Sequence, residues 1–266
     1  MPQHSIRHWQ SLTTVEVRRA VERDPVVVLP LAAIEQHGPH LPLSTDLDIG
    51  MGWLAAAFDR LPEDFPAWAL PPQAVGASLE HQAFPGTVSL EPAVLAGVIH
   101  AYGVALAACG VRRLVVANSH GGNRRVLDEA GLRLRHERGL LVVKVNYFEI
   151  PPPDDVDLPA SEWRHGLHGG AVETAMMLHL RPDLVRTEEM QDARSLGQEL
   201  EGLMQQLTPE GPVSFSWLAG DLHRSGVAGN ARLADVTKGR RLVAYYGEAL
   251  AGAIQDARAF PLERLV

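Results

Sequence analysis

Cysteine is almost missing from these 266 residues: Cys109 is the only one. A single thiol forms no intrachain disulfide and excludes cysteine-based zinc sites, so any metal must be held by histidine and carboxylate. Positive charge is also scarce, with 24 Lys and Arg against 32 Asp and Glu and a net charge of -8. The basic residues are scattered, so none of them forms a stripe along a phosphate backbone, and nucleic acid is not an expected partner. Long apolar runs are lacking too. The longest mostly apolar stretch, residues 97–111, is interrupted by His100 and falls short of a membrane span. The opening MPQHSIRHWQ has no apolar signal core. These absences lead us to expect a cytoplasmic protein with no membrane partner.

What is present suits one core. Hydrophobic residues make up 46% of the chain, and no repeat, low-complexity tract or linker divides it, so residues 1–266 read as a single domain. Thr13 or Thr14 can cap a first helix that stops before Asp24-Pro25. Residues 26–34 read as a buried strand, and a helix begins at Asp46 or Asp48 and runs to Leu61. Pro92 suits the first turn of the next helix. Further strands are predicted at 113–117 and 140–147, and helices at 124–138, 171–180 and 233–257. This alternation predicts an α/β fold, a three-layer αβα domain with a mainly parallel central sheet. Residues 150–161 and 209–230 read as long loops.

The chemistry gathers after the first strand. "LAAIEQHGPHLPLSTDLD" places Glu35, His37, His40, Asp46 and Asp48 within eighteen positions. Glu35 and His37, two apart, face the same way where the chain stays extended. Ligands of open α/β sheets collect at the carboxyl ends of strands, and a second strand end delivers His120 in "VVANSHGGN". Gly121 and Gly122 let the backbone approach a substrate closely at a helix start, a setting suited to an oxyanion. "EWRHGLHGGAVETAMM" adds His165, His168 and Glu173. Imidazole and carboxylate without thiolate fit zinc, manganese or iron, and a carboxylate can bridge two such ions.

Taken together, "EQHGPHLPLSTD", "GASLEHQAFPGTVSL", "NSHGGN", "HGGAVET" and "SGVAGNARLADVTKG" resemble the creatininase (creatinine amidohydrolase) family, which includes mycofactocin-maturing peptidases and formamide-hydrolysing members. The resemblance implies two divalent ions per chain, Zn2+, Mn2+ or Fe2+, with Glu35 and His120 on one, His37 on the other and Asp46 between them. It also implies a catalytic role for His168, substrate contacts from His81 and the Gly121-Gly122 turn, and a homo-oligomer, commonly a hexamer. Creatininase proper carries a metal-binding Glu two residues after the histidine of "NSHGGN", where this chain has Gly122. Either Glu173 replaces it, as ligand and as part of the catalytic set, or the second metal site is weak.

Other residues have plainer readings. Asp48 can cap the helix that Asp46 enters, or the two can exchange roles. His40 is expected to orient a carboxylate from behind, His165 to be solvated, and Met176 and Met177 to pack in the core. The leading expectation is a hydrolase that cleaves a small cyclic amide, a formamide or a related amide with a metal-activated water. The alternatives are a peptidase acting on a modified peptide, which would need an open groove where residues 151–161 could instead act as a lid, creatininase itself, and a non-catalytic metal-binding scaffold.

Overall fold

The computed structural model describes residues 6–265. Four parallel strands, β1 (Val26–Leu31), β2 (Ala67–Ala69), β3 (Arg113–Asn118) and β4 (Leu141–Asn146), form the sheet in the order β2-β1-β3-β4. β1 and β3 are fully buried, and their last residues, Leu31 and Asn118, are paired in register. Side chains alternate across the sheet as strand geometry requires. Val26, Val28, Val115 and Ala117 enter the core on one face, and Val27, Leu29, Leu31, Leu114 and Val116 enter the core on the other.

The first face is covered by α2 (Thr45–Phe58), α6 (Ala171–Leu180) and α9 (Val236–Ala259), the second by α3 (Pro92–Ala108) and α4 (Arg124–Arg138). Both faces are thus shielded, which explains why the strands read as continuous apolar runs. α1 (Thr14–Glu22) starts from a capping box in which Thr13 and Glu16 satisfy each other's backbone N–H groups. Met176 and Met177 are fully buried.

Several expectations needed correction. The first strand ends at Leu31, because Glu35 N–H bonds back to the Leu43 carbonyl and the chain turns. β2 was not foreseen, since three residues carry too short a pattern to read. The 209–230 segment is not wholly loop: it holds α8 (Ala219–Leu222) and the edge strand β6 (Gly229–Asn230), which pairs with β5 (Asp192–Ala193). Two more short helices complete this part of the chain, α5 (Ala160–His165) before α6 and α7 (Leu196–Leu200) between β5 and α8. The segment 151–161, expected as a lid, is fastened down and ends in α5: Val156 and Leu158 join the core, and the Tyr245 hydroxyl donates to the Pro151 carbonyl at 2.9 Å. Among the described residues no helix is long and apolar enough to cross a membrane.

α6 and α9 pack so closely at Gly239 that a β-carbon there would collide with the Ala175 carbonyl. Gly239→Ala should therefore push the helices apart and destabilise the fold by about 1–3 kcal/mol, the usual cost of overpacking. Urea unfolding measures this; an unchanged midpoint would show that the helices can separate freely.

Candidate metal centre

The strand ends position the site. Glu35 and His37 follow β1, and His120 follows β3 by two residues. The turn at His120 is braced by the Asn118 side chain, whose Oδ1 accepts the His120 N–H at 3.2 Å and whose Nδ2 donates to the His120 carbonyl at 2.8 Å. Asn123 ties the same turn to Ala32 and Ala77. Asp46 lies in the first turn of α2, where the helix dipole favours a carboxylate. Glu173 lies in the first turn of α6 and accepts the Gly169 N–H at 2.6 Å and the Tyr147 hydroxyl at 3.3 Å.

Three donor groups result among the described residues: Glu35 with Asp46 and His120, His37 with Asp46 and Glu173, and Glu35 with His37 and His168. Asp46 belongs to the first two. Its Oδ1 is 3.4 Å from His37 Nε2, and its Oδ2 is 3.3 Å from His120 Nδ1. Glu35 Oε1 is 3.2 Å from His120 Nδ1, and Glu173 Oε2 is 3.8 Å from His37 Nε2. Each imidazole spends its other nitrogen on a backbone carbonyl: His37 Nδ1–H on Glu35 at 3.1 Å, His120 Nε2–H on Ala77 at 3.0 Å. That assignment turns the remaining ring lone pairs toward carboxylate oxygens. Lone pair against lone pair is repulsive, and a cation between them resolves it.

Hydrogen bonding agrees. Both Glu35 oxygens, Asp46 Oδ2 and His37 Nε2 are buried with no hydrogen-bond partner among the described residues. Buried polar groups are rarely left unsatisfied, so these orphaned atoms fit a metal centre. Without a metal, protons take the cation's place. Burial opposes charge on His37, but Asp46, Glu173 and Glu35 outweigh it and raise its pKa to about 9. His120 is likewise raised against burial by Glu35 and Asp46. Asp46 is held below its ordinary range, since the two imidazoles overcome its desolvation.

The remaining candidates fall around this cluster. His168 donates Nε2–H to the Gln36 carbonyl at 2.6 Å, and its Nδ1 faces Glu35 Oε1 at 3.8 Å. Its ring lies stacked between those of His37 and His81, with centroids 4.1 and 4.2 Å away. Burial, followed by the His37 charge, lowers its pKa to about 4, so it is a neutral base. His81, expected at the substrate, is only 2% exposed and sits behind Glu35, its Nε2 3.3 Å from Glu35 Oε1. Gly121 has open space where a side chain would project. Gly122 has none: a β-carbon would lie 2.5 Å from Glu80 Oε1 and would also strike the Ala77 carbonyl.

Asp48 points elsewhere, accepting from Ser44 at 2.7 Å and from Arg181 at 3.2 Å. His40 touches no carboxylate; its Nε2–H donates to Thr174 Oγ1 at 2.9 Å, which steadies α6 instead. His165 is not solvated but buried. Sequence reasoning missed Gln36, whose side-chain amide links His81 Nδ1 at 2.8 Å to the Gly226 carbonyl at 3.0 Å. It also missed Asn118, Asn123 and Tyr147. The asparagines flanking "SHGG" were the available signal, since a turn that must aim a ligand needs such braces.

A parallel α/β sheet carrying a buried imidazole and carboxylate cluster at its carboxyl edge suits a metal-dependent hydrolase. The sequence model of the creatininase family, described as creatinine amidohydrolase, matches residues 10–254. The chain belongs to the creatininase family, hydrolases of carbon–nitrogen bonds. It is 34% identical over 222 residues to the mycofactocin precursor peptide peptidase of Mycolicibacterium smegmatis, covering 83% of this chain and 80% of that one. It is 32% identical over 189 residues to the creatinine amidohydrolase of Pseudomonas putida, covering 65% and 71%. A solved structure of manganese creatininase superposes with a TM-score of 0.75 at 26% identity, covering 95% and 98%.

Two outcomes follow from the cluster. Asp46→Ala should abolish metal retention, while Asp48→Ala should keep the metal and cost about 1 kcal/mol or less, as surface ion pairs do. Elemental analysis decides it, and the reverse pattern would exchange the two roles. Metal binding also needs His37 neutral at Nε2, so binding releases a proton and affinity for zinc or manganese should weaken as pH falls below about 9. Calorimetry in buffers of different ionisation enthalpy reads the release; none near neutral pH would contradict the protonated metal-free cluster.

Proposed function

We propose that this chain cleaves an amide bond with two divalent ions, one held by Glu35, Asp46 and His120, the other by His37, Asp46 and Glu173. The observation that carries this reading is Asp46, whose two oxygens serve two separate donor groups. Zinc, manganese and iron(II) all suit these oxygen and nitrogen donors. Bound there, such ions supply Lewis acidity and lower the pKa of water.

The chain's own side chains handle position and protons. Gln36 holds the His168 ring by its backbone carbonyl, which leaves Nδ1 as the free lone pair facing the cluster. From there His168 takes a proton as water attacks the carbonyl carbon and returns it to the departing nitrogen. Gly121, with open space beside its backbone, offers room for the substrate next to His120.

For the substrate, the peptide reading is preferred over the small cyclic amide or formamide. It is supported by the likeness to a peptidase of the mycofactocin precursor over 83% of the chain, and by Gly122, which leaves this chain without the carboxylate expected of creatininase proper. Metal-reconstituted protein should cut a mycofactocin precursor peptide, as read by mass spectrometry, and turn over creatinine with kcat/KM well below about 10⁴ M⁻¹s⁻¹. The reverse result would restore the small-amide reading. His168→Ala should keep its metal and lose about 10²- to 10⁴-fold in turnover. Full turnover by that variant would remove His168 from the chemistry.

A further inference from the structure

Glu162 is a buried acid that the chemistry above does not use. It belongs to α5, is only 2% exposed, and its charge is answered by backbone alone. Oε1 accepts the Ala171 N–H at 2.7 Å, and Oε2 accepts the Asn230 N–H at 2.9 Å. Burial raises its pKa, those two N–H groups oppose the rise, and Asp192 adds repulsion. A carboxylate in such a place costs the fold desolvation energy. Its neighbours are nonetheless shaped to receive it: a β-carbon on Gly166, Gly170 or Gly229 would lie 2.5, 2.6 or 2.8 Å from Oε1.

The two N–H groups belong to segments that meet at the site. Ala171 opens α6, three residues after His168 and two before Glu173. Asn230 ends β6, two residues after Ala228. Between them His168 and Ala228 form an isolated antiparallel bridge, with N–H to carbonyl distances of 3.2 and 2.7 Å. The bridge is a single pair with no ladder to extend it, so its register depends on what grips its flanks. Glu162 grips both. Only an acceptor with two equivalent oxygens can take both N–H groups; a glutamine in its place would turn an NH2 toward one of them.

We infer that Glu162 is a positioning residue: its carboxylate clamps α6 to β6 and so sets where His168 and Glu173 stand in the metal centre. The inference rests on the roles given above to His168 and Glu173.

The test uses zinc-loaded full-length protein with ¹⁵N-labelled histidine. His168 Nε2–H, hydrogen-bonded to the Gln36 carbonyl, and His120 Nε2–H, hydrogen-bonded to the Ala77 carbonyl, each provide a ring N–H signal. Only the first lies on the clamped segment, and His120 shares no donor group with His168 or Glu173. In E162Q the His168 signal should shift or vanish by exchange while the His120 signal stays. On the precursor peptide kcat should fall about 10- to 100-fold, the scale of a small misplacement, with KM changed less than about threefold. E162D, which keeps both acceptor oxygens on a shorter arm, should recover part of the loss. Unchanged ring signals in E162Q would overturn the inference, and so would an equal shift of both signals in a variant whose circular dichroism shows it folded. If E162Q does not fold, E162D carries the same two readouts. The ring signals need no turnover, so an inactive peptide or a fully active His168→Ala would sink the functional reading and leave this one decided separately.

Discussion

The site is organised by a conflict between lone pairs. His37 and His120 each commit one ring nitrogen to a backbone carbonyl, and the other nitrogen then confronts carboxylate oxygens of Asp46, Glu35 and Glu173 at 3.2–3.8 Å. Nothing in the protein can relieve this except protons, which the metal-free chain holds on its imidazoles. A buried set of this kind is unfavourable for folding by itself, so its surroundings must be rigid enough to impose it. They are: the paired ends of two fully buried strands, the first turns of two helices, and asparagines that brace the turn between them.

Much of this was legible in the order of residues. The apolar run before "EQHG" and the one before "NSHGGN" mark two strand ends, and strand ends in a parallel sheet lie side by side. Helix boundaries at 124–138 and 171–180 follow from plain periodicity. Glu173 could be nominated because "HGGAVET" puts a carboxylate in the first turn of a helix. Asp46 and Asp48 could not be separated by pattern, since both fall in the same first turn; Arg181, 133 residues beyond Asp48, is what draws Asp48 away.

What stayed hidden was mostly long-range hydrogen bonding. Gln36 sits between Glu35 and His37 and looks like filler, yet its side chain reaches His81 and Gly226. Glu162 resembles any surface acid of a short helix until its two backbone partners are known. Burial of a polar side chain depends on what the rest of the chain brings to it. No local periodicity reports that.

The crowding at Gly122 has a consequence for how such sites diverge. The volume that a side chain would need there is filled by the Glu80 carboxylate and the Ala77 carbonyl. A chain with a glutamate two residues after the histidine and a chain with glycine there are therefore not neighbours by one substitution. Passing from one to the other requires Glu80 to withdraw and the Ala77 backbone and His120 ring to shift as the new side chain arrives, and any of these changes alone leaves a clash or a void. The two arrangements stand as alternative packings of one corner, which lets related chains keep a fold while remaining separated in sequence.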